Sequence, residues 1–115
     1  MSQHYTKTES GREVLYGLDE PTGGFFFTEF FLDEEIDIEN DYDVASSKDG
    51  LTLTELVKEL NNLNVEYFVE LLLNDYKHFQ NPSPLQIHVG KMFGRDVLAM
   101  LERVHQDMQL NYIVQ

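Results

Sequence analysis

Phe25-Phe26-Phe27-Thr28-Glu29-Phe30-Phe31-Leu32 is the stretch on which the fold turns. In a strand, successive side chains point to opposite faces. Phe26, Thr28, Phe30 and Leu32 then share one face, and Phe25, Phe27, Glu29 and Phe31 share the other. Both faces are largely apolar, so the strand calls for cover on both sides. Helices can supply one cover, and the other falls to a tail, a second layer or another copy of the chain. A homodimer seam is therefore one expectation for this ribbon.

Upstream, residues 13–17 read as a short strand with Val14 and Tyr16 on one face and Leu15 on the other. Between the two strands, Asp19-Glu20-Pro21-Thr22-Gly23-Gly24 has turn chemistry: proline presets φ and glycine tolerates positive φ. The pair predicts a hairpin, with the turn as a possible recognition loop. Residues 1–10 lack periodicity and read as a flexible N-terminal tail ahead of a single domain over 11–115.

Downstream, residues 33–43 hold seven acids and no base. Ile36 and Ile38, then Tyr42 and Val44, alternate with acids, which suits a short edge strand with its charges in water. Ser46-Ser47-Lys48-Asp49-Gly50 reads as a loop. After it the pattern becomes helical. Thr52 and Glu55 form a capping-box pattern opening a helix over 53–61 that buries Leu53, Leu56, Val57 and Leu60. Asn64 can cap a second helix over 65–78, with Phe68, Leu71, Leu72 and Tyr76 inward and Val69 on the flank. Ser83-Pro84-Leu85-Gln86 starts a third, running to about Met108, and a break near Phe93-Gly94 is the alternative. The tail from Leu110 to Gln115 has room for a last strand or a docked extension. The fold class is α+β: a small antiparallel sheet, made of the N-terminal hairpin plus short strands, with about three helices on one face.

Charge sets the expected partners. The 115 residues carry a net charge of −13, from 21 acids against eight lysines and arginines. Residues 1–50 contribute 13 acids and three bases, so the acidity is concentrated in the strand-rich half. That sign disfavours direct nucleic-acid and anionic-membrane binding and favours a basic protein partner. Gly90 and Gly94 form a GxxxG pattern, but charged flanks and a short apolar run remove a membrane reading. There is no cysteine, hence no disulfide and no thiolate chemistry. Residues 1–12 lack a basic-then-apolar leader pattern, and the default expectation is a cytoplasmic protein.

Motifs for chemistry are absent. The acids at 37–43 resemble a calcium loop only in part: Tyr42 stands where the turn needs glycine and Lys48 where the bidentate glutamate belongs. The segment reads as a solvated acidic edge. His4, His78, His88 and His105 show no metal spacing, and His78 and His105 suit helix C-termini. No nucleophile elbow or phosphate loop is present. Glu29, flanked by phenylalanines, either reaches water at an edge, the favoured reading, or is buried with a partner such as Arg12 or Arg95. No cofactor is expected. The function read from these residues is a non-enzymatic protein-binding module of the inhibitor, immunity or charge-mimic kind. Its contact residues would be Phe25, Phe27, Glu29, Phe31, Asp33, Glu34 and Glu35. The alternatives are a small-ligand or divalent-metal binder using the acids near 29–43, and a structural homodimer subunit.

Overall fold

Tyr16 lies opposite Phe27 and Leu18 opposite Phe25 across an antiparallel pair. The computed structural model describes residues 2–19, 23–31, 44–78 and 82–112. Within these, β1 (His4–Lys7), β2 (Glu13–Asp19), β3 (Gly24–Phe30) and β4 (Val44–Leu51) form an antiparallel meander in the order β1-β2-β3-β4. Four helices follow: α1 (Leu53–Leu63), α2 (Val69–Lys77), α3 (Pro84–Met92) and α4 (Val97–Asn111). The chain is an α+β protein with one more helix than the sequence pattern suggests.

The register puts Val14, Tyr16, Leu18, Phe25, Phe27 and Leu51 on one sheet face. There they join Leu53, Leu56 and Leu60 of α1, Leu72 of α2, and Val104 and Met108 of α4 in one buried cluster. Burying each large apolar side chain contributes about 1.5–3 kcal/mol, so this face carries most of the stabilisation. The opposite face holds Leu15, Phe26, Thr28 and Phe30, all half-buried, with exposed Tyr5 and Val44 beside them.

Four local expectations change. Residues 4–7, read as part of a tail, are an edge strand, because a tight turn at 8–12 folds them back onto β2. Ser46-Ser47-Lys48-Asp49-Gly50, read as a loop, lies inside β4, where pairing with the Phe-rich β3 overrides weak strand propensity. Asn64 does not open a helix: at φ 57° it ends α1, donating its N–H to the Leu60 and Asn61 carbonyls. With α2 starting only at Val69, Phe68 and Leu71 turn outward, and Leu72 is the buried residue of that helix. Of the tail over 110–115, Leu110 and Asn111 complete α4, Tyr112 is its extended C-cap and packs against the core, and residues 113–115 lie outside the described set.

The break near Gly94 is real. Gly94 takes φ +70°, and the Gly94 and Arg95 N–H groups close onto the Lys91 and Gly90 carbonyls, a Schellman ending for α3. Asp96 then caps α4 by accepting the Ala99 N–H. Gly90 is where α3 meets α4, since a Cβ there would stand 2.6 Å from Val97 Cγ2. The Thr52–Glu55 and Ser83–Gln86 capping boxes both form. No helix among the described residues is long and apolar enough to cross a membrane.

Candidate functional site

Phe30 and Val44, the described strand residues before and after the acidic run, are paired across β3 and β4, and Glu13 and Lys7 continue the same row. The chemistry fixed at this end is a trio of Arg12, Glu29 and Phe31.

Arg12 is set by the β1–β2 turn. Its backbone N–H donates to Thr8 Oγ1 at 3.0 Å, and its carbonyl accepts the Thr8 N–H at 2.9 Å. From there Arg12 Nη1 donates to Glu29 Oε1 at 3.3 Å, and the guanidinium sits 4.5 Å from the centroid of the Phe31 ring. A flat cation over an aromatic face is attractive and also fixes the ring. Glu29 sits on a central strand between Val14 and Ser46 and is buried. The favoured expectation that it reaches water at an edge is therefore overturned. The alternative partner, Arg95, is engaged instead with Asp49 at 2.8 Å. Ser46, opposite Glu29, has a buried hydroxyl with no hydrogen-bond partner among the described residues.

The contact residues expected from sequence divide three ways. Phe25 and Phe27 are 0% and 2% exposed, sealed under the helices, and present no surface to a partner. The sequence shows which phenylalanines share a face but not which face the helices cover. Glu29 is buried beside them, whereas Phe31 is exposed. Asp33, Glu34 and Glu35 lie outside the described residues, as does the acidic run 37–43 weighed as a calcium loop. Among the described residues no group of three or more His, Asp or Glu side chains is arranged to hold a metal ion.

No protein-family model, curated protein or solved structure matches the chain.

A second feature went unread in the sequence. A groove of about 470 Å³ runs along α4, lined by Pro82, Leu98, Leu101, Glu102, His105, Gln106 and Gln109. Beside it His105 Nδ1 hydrogen-bonds the Tyr76 hydroxyl, with the rings edge to face, and burial pushes the Tyr76 phenol above its usual range. His105 thus lies well inside α4 rather than at a helix C-terminus, whereas His78 does end α2 and bonds the Asn74 carbonyl. His4 Nε2 meets Asp75 Oδ2 at 2.5 Å and ties β1 to α2. These three histidines therefore have structural partners.

Proposed function

We propose that the protein is a non-enzymatic binding module that captures a basic protein segment through its β3–β4 connection. The observation that carries this reading is the charge of that connection: seven acids and no base over 33–43, held between Phe30 and Val44. Arg12, stacked on Phe31, has its charge directed at buried Glu29, so it does little to offset the acids that follow Phe31. Exposed Phe31 supplies an apolar contact beside them. Acids that follow an exposed aromatic residue in the sequence suit a lysine- or arginine-rich segment: the charges steer the encounter and the ring holds the aliphatic stems.

A lysine-rich peptide titrated into the full chain and followed by fluorescence anisotropy tests this. Binding at low salt, weakening at least tenfold at high salt, is expected. The combined variant Asp33→Asn, Glu34→Gln, Glu35→Gln should weaken it, and so should Phe31→Ser, which separates docking beside the ring from bare attraction. Equal affinity for wild type and both variants would refute the reading.

A further inference from the structure

All three arginines of the chain meet an acid, but not equally. Arg95 reaches Asp49 at 2.8 Å, and Arg103 reaches Glu55 at 2.9 Å. Arg12 reaches Glu29 only at 3.3 Å, although the Glu29 side chain is 7% exposed against 46% and 44% for the other two acids. A guanidinium carries five donors in a planar fork that suits two-armed contact with a carboxylate. Among the described residues the Arg12 guanidinium makes that one hydrogen bond, and 43% of its side chain stays in water. We infer that Glu29, Phe31 and Ser46 form a guanidinium-binding pocket, loosely filled by Arg12 in the free protein, and that an arginine of the captured segment takes its place. This rests on the capture of a basic segment and names the residue type that anchors it.

Three groups of the pocket match a guanidinium. The Glu29 carboxylate accepts from it. The Phe31 ring offers its face, with the Arg12 guanidinium 4.5 Å from the centroid, and Phe31 is itself exposed, so the pocket is reached from water. Ser46 is paired directly across β3 and β4 from Glu29, so both side chains leave the same face of the sheet. The Ser46 hydroxyl is buried without a hydrogen-bond partner among the described residues, an acceptor that Arg12 does not use. A buried polar group is costly to leave unpaired, so a cation that reaches Glu29 and Ser46 together binds better than one that reaches Glu29 alone. Arg12 is held back by its own backbone, pinned in the β1–β2 turn by the two contacts with Thr8 at 3.0 and 2.9 Å. An arginine on a separate chain has no such restraint and can turn its fork toward both acceptors. Lysine brings a point charge and no fork. While Arg12 occupies the pocket, the partner sees only the fraction of molecules in which it has swung out, and its apparent affinity falls by that fraction.

Arg12→Ala empties the pocket. Methylguanidinium should then raise the melting temperature of Arg12→Ala in a saturable way, and methylammonium should raise it much less. The wild type, whose pocket is filled, and the double variant Arg12→Ala with Glu29→Gln should not respond. In fluorescence anisotropy with the full chain, an arginine-rich peptide should bind Arg12→Ala at least about tenfold tighter than the wild type. The same peptide with lysine in place of arginine should gain no more from Arg12→Ala than from Lys7→Ala. Lys7 is exposed in the same row of the sheet, so its removal takes away one positive charge and leaves the pocket filled. Arg12→Lys keeps the charge and the fold, and should already give the arginine peptide part of the gain. A methylguanidinium response no larger in Arg12→Ala than in the wild type would overturn the pocket, even where the peptides bind. Equal gains for the arginine peptide from Arg12→Ala and Lys7→Ala would overturn the exchange. Methylguanidinium rescue with no peptide bound by any variant would instead overturn the capture of a basic segment, and the exchange with it.

Discussion

Arg12 and Glu29 form an unequal pair: the arginine side chain is 43% exposed and the glutamate side chain 7%. Most of the desolvation cost of the contact therefore falls on the acid, and the base keeps much of its hydration. The two ends of the interaction should respond differently to mutation.

Arg12→Ala strips the buried carboxylate of its counter-charge and exposes one face of the Phe31 ring. A loss of about 1–3 kcal/mol is expected from leaving a buried charged acceptor uncompensated. Glu29→Gln keeps shape and a hydrogen-bonding group while removing the charge, and should cost less than Arg12→Ala. Urea unfolding of the two variants checks the order, and a larger loss for Glu29→Gln would contradict it.

Asn64 tests the helix ending. Its φ of 57° and ψ of 45° suit asparagine and glycine but not a residue with a plain Cβ. Asn64→Ala should destabilise by about 1 kcal/mol, and Asn64→Gly should be close to neutral. Were Asn64 an N-cap, alanine would still be worse than glycine, but Asn64→Asp would be tolerated as well as glycine. The αL geometry predicts that glycine is the better of the two.

Alkaline pH should unfold the protein through its tyrosines. Burial pushes the Tyr16 phenol up, with the Asp75 carboxylate adding to it against a hydrogen bond from the Phe68 backbone, and burial raises Tyr76 as well. Tyr5, hydrogen-bonded to Glu13 at 2.6 Å, is pushed up to about 12. A folded-state pKa above the unfolded one means that the native form holds the proton more tightly. The stabilisation is complete below the unfolded value near 10 and is lost as pH rises through the raised folded values. Tyrosinate absorbance should lag behind that of a denatured sample above about pH 10 and then catch up as the fold gives way. Superimposable native and denatured titrations would rule this out.

Divalent cations are expected to leave the melting temperature unchanged. A ligand that binds only the native state raises its stability with concentration. The acids at 37–43 lack the turn glycine and the bidentate glutamate of a calcium loop. A rise in melting temperature with calcium, magnesium or manganese would instead favour the metal-binding alternative.

What the sequence made legible was local. Thr52 with Glu55, and Ser83 with Gln86, are pairs three residues apart whose geometry the helix itself imposes, so both capping boxes could be read directly. The alternation in 25–31 likewise gave the correct partition of faces. Asn64 was ambiguous because asparagine suits both a helix start and a left-handed ending, and only the chain direction after it decides. The strand at 44–51 was hidden because its serines and Gly50 have poor strand propensity, and only the partner strand makes them extended. At the candidate site, Arg12 could be named as a partner for Glu29, yet the central position of Glu29 depends on β4, which was read as mostly loop. Gly94 followed by Asp96 was an available signal for the α3–α4 junction: a glycine ending and then an aspartate cap.

The meander order has a kinetic consequence. Each strand pairs with its immediate predecessor in the chain, so the sheet can zip outward from the β2–β3 hairpin without any segment crossing another. The far-separated partners are α4 and the early strands: Val104 and Met108 join the same cluster as Val14 and Phe25. Closing that distance carries the largest loop-closure entropy, so it is expected to follow the hairpins. A chain truncated before α4 would assemble its hairpins and leave the floor of its core open to water.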